Sequence, residues 1–217
     1  MKIGKISPTL NANGVGELKV EPDIAYLYIG VQTKGDSAQV AGSENANLTQ
    51  KLIDTLTTAG ISKKDLKTNN YRVAPEYKTN EETDETTING YTATNQLNVK
   101  VRDIKNVGNI IDVISQAGNY TINGINFDIK NKKRYKYQDE ALTKAVLDAH
   151  HNAKIAAKAE NKSIAGIKNI TIGNVSHISP HSMKGFAAVQ SARMTTPIEP
   201  GELTIQASVS IEYLLDK

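Results

Sequence analysis

The stretch that most constrains the fold is residues 89–129, because the hydrophobic period changes twice within it. Apolar and polar residues alternate from Tyr91 to Val101, which predicts a strand with one buried face. Asp103 can then cap a helix, and Gly118 can end it in a left-handed conformation. The apolar residues of that helix recur at helical spacing: Ile104, Val107, Ile111 and Ile114. Period two resumes at residues 125–129, so the stretch predicts two strands that each bury one face under the helix.

The residues before this stretch show the same change of period. Residues 25–32 alternate as a strand, and residues 37–59 carry the apolar stripe of a helix that Gly60 can close. A further strand is predicted at Leu66–Tyr77, where Pro75 lacks a ladder donor and therefore indicates a sheet edge or a bulge. Residues 23–129 thus have the order β-α-β-β-α-β, which is the ferredoxin-like order.

Downstream of this core, residues 134–160 predict a third helix with alanine at every fourth position. The alanines are Ala141, Ala145, Ala149, Ala153 and Ala157. Such a shallow ridge lets another backbone approach closely, so we expect the helix to pack either on a sheet or against a copy of itself. Strands are predicted at Ile167–Ile172 and Leu203–Tyr213, whereas residues 176–201 have no periodicity.

Together these patterns predict an α+β fold: a ferredoxin-like βαββαβ core with an added Ala-rich helix and C-terminal strands in a mostly antiparallel sheet. The predicted organisation is an N-terminal extension over residues 1–13 and a single domain over residues 14–215, with a short first strand at Val15–Val20. A loop as long as residues 176–201 is usually functional, an interface arm or disordered.

Composition limits the classes of function. The 217-residue chain has a formal net charge of +3. That excess is too small to imply nucleic acid, because a domain built for phosphates concentrates its charge on one face. Cysteine is absent, which excludes disulfides, zinc–thiolate sites and thiol chemistry. No apolar run approaches the ~20 residues that cross a membrane, and residues 1–10 lack the apolar core of a signal peptide.

Polar clusters that could bind a metal are more typical of solvated surface. The carboxylates of residues 81–85 lack the spacing of a calcium loop, so a solvated hairpin tip is expected. His150 and His151 are adjacent on a helix and point about 100° apart. His177 and His181 are not on a predicted helix, so their spacing does not place both rings on one ion. No metal site is therefore predicted.

Residues 132–137 interleave cations with tyrosines, as single-strand nucleic-acid surfaces do, but the patch is isolated and its tyrosines are expected to pack inward. A nucleophile elbow, an S-x-x-K motif with its partners and a phosphate-binding glycine loop are all missing from the sequence. The sequence therefore predicts no catalytic residue and no cofactor.

Several short motifs follow one another in a specific order across about residues 12–215. They are Gly14-Val15-Gly16-Glu17 with Val20, Pro22 and Asp23; Leu66-Lys67-Thr68-Asn69-Asn70-Tyr71; Gly90-Tyr91 with Asn95; Val99, Val101, Arg102-Asp103 and Val107-Gly108; Ile122-Asn123-Gly124-Ile125 with Phe127; Asp139-Glu140-Ala141-Leu142; and Pro197-Ile198-Glu199-Pro200-Gly201-Glu202. In this order they resemble the SIMPL-domain family, bacterial proteins of the oxidative-stress-defence and periplasmic immunogenic type.

The resemblance implies a non-enzymatic, self-assembling protein linked to oxidative-stress tolerance, since some members form large ring- or channel-like oligomers. It supplies no catalytic residues. Members usually carry an export leader. The location is therefore extracytoplasmic by resemblance if a leader was removed, and cytoplasmic if Met1 is the natural start.

Two functions of different classes are consistent with the sequence. The first is a homo-oligomer, with candidate interface residues Met183, Phe186, Met194, Ala145, Ala149 and Ala153. The second is a binding module that holds a partner protein or a small ligand in a cleft beside residues 176–201. An enzyme is a third possibility, and it requires titratable residues that converge in a pocket.

Overall fold

The computed structural model describes residues 8–178 and 195–216, and within these ranges the chain has three α-helices and seven strands. The strands are β1 (Thr9–Val20), β2 (Ile24–Gly35), β3 (Leu66–Thr79), β4 (Thr86–Val101), β5 (Thr121–Asp128), β6 (Ile164–Ile178) and β7 (Leu203–Leu215); the helices are α1 (Ala38–Thr58), α2 (Val107–Ala117) and α3 (Asn131–Ala159). The strands form two antiparallel sheets, with orders β1-β7-β6 and β3-β4-β2-β5. The fold is thus mixed α/β, and each sheet belongs to its own compact unit.

The first unit comprises the described parts of Met1–Glu21, Ile129–Pro180 and Gly201–Lys217. β7 is the central strand of its sheet and pairs with β1 on one side and β6 on the other. Every second residue of β7 is buried in the core shared with α3: Leu203, Ile205, Ala207, Val209, Ile211 and Tyr213. This alternation confirms the strand predicted at the C-terminus.

The closest contact in the first unit joins α3 to β1. A Cβ atom added at Gly16 would lie 1.9 Å from the carbonyl oxygen of Ala141, and one added at Gly14 would lie 2.0 Å from that of Ala145. Only glycine lets a strand approach a helix backbone this closely. The alanines at every fourth position of α3 supply the matching small side chains and are fully or almost fully buried. Of the two partners predicted for this ridge, the structure shows the sheet.

The second unit comprises Pro22–Asp128 and the described part of His181–Pro200. Its elements follow the order β2-α1-β3-β4-α2-β5, and its sheet has β4 and β2 at the centre. Both helices contribute to the core on one face of this sheet, where Leu52 and Leu56 of α1 and Ile110 and Ile114 of α2 are fully buried. The predicted succession of strands and helices over residues 23–129 is therefore observed.

Local sequence signals account for both ends of α1. The side chain of Ser37 accepts a hydrogen bond from the first turn, as an N-cap does. Gly60 has a φ of +94°, and its amide donates to the carbonyl of Thr57 while the amide of Ile61 donates to that of Leu56. This pair of bonds is a Schellman motif, so the predicted role of Gly60 is confirmed.

The predictions made for β3 and for the residues around α2 are confirmed in part. Pro75 lies on an edge strand beside a register shift between Glu76 and Tyr77, as its missing amide predicted. Asp103 caps the short 3₁₀ turn that precedes α2. Gly118 ends α2, but its φ of 155° and ψ of −168° are not the predicted left-handed values. That region of backbone conformation is open essentially to glycine alone.

β1 is longer than predicted. It begins at Thr9, so residues 9–13, predicted to form an extension, belong to the first sheet. The buried face of β1 carries Ala12, Gly14 and Gly16, which are too small to give a strong apolar period, yet the backbones of residues 9–13 pair with β7. β6 is likewise longer than the strand predicted at Ile167–Ile172.

We expect Gly16→Ala to lower the free energy of unfolding by roughly 3 kcal/mol or more, because the new methyl group would force α3 away from β1. The matched control is Gly124→Ala on β5, where an added Cβ would meet nothing within 4 Å. That variant should change stability by less than about 0.5 kcal/mol. Urea unfolding followed by circular dichroism measures both, and equal stability of the two variants would contradict the close contact.

Candidate functional site

The edge of β1 that does not pair with β7 is bonded to side chains of α3. Lys144 Nζ donates to the carbonyl of Glu17 (2.9 Å), the amide of Val15 donates to Asp148 Oδ2 (2.9 Å), and Asn152 Nδ2 donates to the carbonyl of Asn13 (3.2 Å). Four residues of a helix advance about 6 Å and two residues of a strand about 6.6 Å, so the two repeats match. The chain therefore caps this sheet edge itself, which is a common protection against pairing with another strand.

The opposite edge strand, β6, carries exposed apolar side chains. Ile167, Ile170 and Ile172 are 54%, 46% and 59% exposed, and together we name them the β6 strip. In register they lie beside Tyr213, Ile211 and Val209 of β7, which are buried under α3. α3 packs mainly on β1 and β7, so the β6 strip continues the apolar face of the sheet beyond the cover of the helix.

The residues predicted to form an interface fall into two groups. Ala145, Ala149 and Ala153 are fully buried within one chain, where they pack beside β1 and β7. Their spacing is therefore explained inside one chain, and a contact with a copy stays a prediction. Met183, Phe186 and Met194 lie outside the described residues, as do residues 179–194 of the loop beside which a cleft is predicted.

The last part of that predicted loop, from residue 195, has no regular structure and is bonded to α2. The amide of Thr196 donates to Asp112 Oδ2 (3.1 Å), and its hydroxyl also bonds the Asp112 carboxylate. Gly108 leaves room for this contact, because a Cβ atom there would lie 2.3 Å from the carbonyl oxygen of Thr196. Ile198 packs against the core of the second unit. This end of the loop is thus held at a defined place on α2.

One corner of the second unit concentrates cations. Strand pairing places Leu66 opposite Val99, which brings the start of β3 beside the end of β4. The cations gathered there are Lys63, Lys64, Lys67, Lys100 and Arg102, and we name this group with Asp65 the basic corner. Five cations and one carboxylate give it a formal charge of +4, more than the +3 of the whole chain. The remaining residues are therefore net acidic.

A bidentate ion pair lies at the centre of the basic corner. Arg102 Nε and Nη2 donate to the two oxygens of Asp65, each at 2.7 Å. These hydrogen bonds lower the pKa of Asp65 below its usual value, against the opposing effect of burial, and the charges of Arg102, Lys64 and Lys100 lower it further. The same bonds raise the pKa of Arg102. The Asp65 side chain is only 5% exposed, so it depends on this partner.

Six of the eight residues considered as metal ligands are exposed. In the described part of the chain no group of three or more potential ligands comes together. His150 is exposed and its ring lies 6.0 Å from that of Tyr213, between centroids. The carboxylates of residues 81–85 are exposed on the turn between β3 and β4, where Asp84 has a φ of 54°. His181 lies outside the described residues.

The tyrosines of residues 132–137 behave differently from the prediction that both pack inward. Tyr137 packs against the core of the first unit, but Tyr135 is 67% exposed. The reason is the helical phase: Tyr135 lies two residues before Tyr137, about 200° round α3. The isolated patch therefore has one exposed aromatic ring.

Comparison with known proteins decides the family. The SIMPL model, described as protein of unknown function (DUF541), matches residues 10–213. The chain belongs to the SIMPL family. It is 27% identical to the 26 kDa periplasmic immunogenic protein of Brucella melitensis over 206 residues, 92% of this chain and 82% of that protein. It is 23% identical to the uncharacterized protein YggE of Escherichia coli (strain K12) over 209 residues, 96% and 81% of the two chains.

Other comparisons and the fold add three points. A YggE protein of Edwardsiella ictaluri is 24% identical over 196 residues, 90% of this chain and 80% of that protein. Among the helices of the described residues, none combines the length and apolar character that a membrane span requires. The SIMPL match spans both compact units, so the family domain includes them both.

Sequence reasoning did not find the basic corner or the capped edge of β1. Lys67 and Lys100 are far apart in the chain, and only the register of β3 with β4 brings them together. The one available signal was the pair of short basic stretches, residues 63–67 and 100–105. Their meeting could have been inferred from pairing the two predicted strands that flank the hairpin tip.

We expect acid to weaken the second unit through Asp65. Because the pKa of Asp65 is lowered in the folded state, its contribution to stability is complete above the unfolded value and is lost as the pH falls through the folded one. Arg102→Ala should lower stability at neutral pH and flatten this dependence between the usual value of 3.8 and lower pH. Urea midpoints across an acid series measure both effects. An unchanged pH dependence in Arg102→Ala would contradict the assignment.

Proposed function

We propose that this SIMPL protein is a non-enzymatic, self-assembling protein, and that its β6 strip is a contact between copies. The observation that carries the proposal is the apolar face of the first sheet, which α3 covers mainly over β1 and β7 and much less over β6. A row of three half-exposed isoleucines beside a buried core is typical of a surface that a partner covers. Because the other edge of the sheet is capped by α3, β6 is the edge that a copy could approach.

A second copy is the occupant that this surface fits by symmetry. In an antiparallel pair about a two-fold axis, the same strip faces itself, and isoleucine meets isoleucine. Register shifts in β6 between Ile167 and Asn169 and between Ile172 and Val175 break the ladder to β7. Such shifts limit pairing at the edge to a short stretch. We infer that contact through the isoleucine side chains, rather than a long ladder, joins the copies.

The free energy of burial shows how much the β6 strip can contribute to association. Complete burial of an isoleucine is worth roughly 1.5–3 kcal/mol relative to full exposure. Since the three side chains are already about half buried, covering them is worth roughly 2–4 kcal/mol in total. Association costs about 4 kcal/mol or more, so a stable assembly needs further contact area. Met183, Phe186 and Met194 remain our predicted source of that area.

We infer the finer fold and the biological setting in the same way. The order β-α-β-β-α-β and the sheet order β3-β4-β2-β5 support a ferredoxin-like type for the second unit. The Brucella relative is named a periplasmic immunogenic protein, which supports an extracytoplasmic location for this chain. A link to oxidative-stress or envelope-stress tolerance follows from the family resemblance. We propose no reaction for this chain.

We expect the wild-type chain to have a solution mass of several times 23.5 kDa, and Ile170→Lys/Ile172→Lys to have a smaller mass at the same concentration. A lysine pair in the contact would place desolvated like charges together across the two-fold axis. Size exclusion with light scattering over a concentration series measures the mass. Both side chains are about half exposed, so the variant should keep its melting temperature.

The matched control is Val15→Lys, which adds a lysine at a position that is 50% exposed on β1. Gly14 and Gly16 face α3, so Val15 points to the opposite face of the same sheet. This control should leave the mass unchanged. A wild-type chain that is monomeric throughout the concentration series would contradict the proposal. It would favour the alternative, a binding module for a partner protein or a small ligand. An unchanged mass in the double variant would exclude the β6 strip as the contact.

A further inference from the structure

The basic corner continues onto the face of the second sheet that lies opposite α1 and α2. We name this surface the open face, and its side chains are partly buried or exposed rather than part of the core. Register places Tyr26 of β2 between Lys100 of β4 and Asn126 of β5, and Tyr28 between Asn98 and Gly124. The open face therefore begins at the basic corner and continues as tyrosine rings flanked by amide side chains.

The amides are numerous on this surface. Cross-strand pairing assigns to the open face Gln32, Asn70, Gln96, Asn98 and Asn126, and Asn123 lies over Gly30. Each amide side chain offers two donors and an acceptor with two lone pairs. Gly124 leaves the surface without a side chain next to Tyr28, and an added Cβ there would meet nothing within 4 Å, so a ligand could reach the backbone at this point. Hydroxyl-rich ligands use this combination of donors and acceptors.

We propose that the basic corner and the open face together bind an acidic polysaccharide. The cations would pair with its carboxylate or sulfate groups, and the amides would bond its hydroxyls. The tyrosines offer large, rigid contact area with a polar end, at a low cost in conformational entropy. Charge complementarity supports an anionic partner because the corner alone carries +4 while the rest of the chain is net acidic.

A single-stranded nucleic acid is the competing polyanion, and the observations favour it less. Four-stranded sheets that bind RNA stack bases on aromatic side chains, and each base needs a free ring face. On β4, one of the two central strands, the open face carries Thr92, Thr94, Gln96, Asn98 and Lys100, none of which is aromatic. On β2, the ring of Tyr26 already has Lys100 Nζ of β4 over it, 5.5 Å from the ring centroid. The surface is therefore richer in amides than in stacking platforms.

The test measures binding of the full chain to immobilised polygalacturonate by biolayer interferometry over a salt series. Dextran serves as an uncharged glycan, and oligodeoxythymidine serves as a polyanion that carries bases. We expect binding to polygalacturonate that weakens as salt is added, weaker binding to oligodeoxythymidine and none to dextran. Lys63→Gln/Lys67→Gln should weaken binding to polygalacturonate about tenfold. Both lysines are exposed, so the fold should be unaffected.

Two matched variants separate this site from a general charge effect. Lys154→Gln/Lys158→Gln removes the same charge from exposed positions of α3 and should change affinity less than about twofold. Tyr28→Ala should weaken binding several-fold, whereas Tyr77→Ala, at a 65% exposed position of β3, should not. Equal losses in the two lysine variants, tighter binding to oligodeoxythymidine, or no binding by the wild type would each overturn the proposal.

Discussion

The first unit depends on one close approach, that of the α3 backbone to the glycines of β1. The carbonyl oxygens of Ala145 and Ala141 lie so close to Gly14 and Gly16 that neither position has room for a Cβ atom. The buried alanines at every fourth position of α3 supply the small side chains of the same contact. The interaction is steric in origin, because it holds only where both surfaces lack larger side chains. It determines which strands α3 covers and how close the other side chains of α3 lie to the sheet.

Two features of the surface follow from that approach. A helix this close to β1 brings Lys144, Asp148 and Asn152 within hydrogen-bond distance of the strand edge, so the edge is capped without a neighbouring strand. The same position leaves the β6 strip about half exposed on the apolar face. One packing constraint thus closes one edge of the sheet and leaves an apolar surface at the other, which is why the proposed assembly contact lies on β6.

In the second unit, strand register rather than helix packing brings the residues of the proposed site together. Pairing of Leu66 with Val99 brings two basic stretches together around Asp65, whose bonds to Arg102 offset part of the repulsion among the cations. The two helices cover one face of the sheet and leave tyrosines and amides on the other. The result is a surface with concentrated positive charge in a chain whose net charge is only +3.

The sequence by itself determined the elements whose signals are local. Period two located β7, and Gly60 located the C-terminal end of α1, because caps and alternation act within a few residues. It also supplied the SIMPL resemblance, which the family model confirms. The sequence did not reveal the start of β1, where alanine and glycine on the buried face weaken the apolar period, nor the partner of the alanine ridge. Only the tertiary structure decided those, and it alone created the β6 strip and the basic corner, because both depend on contacts between residues distant in the chain.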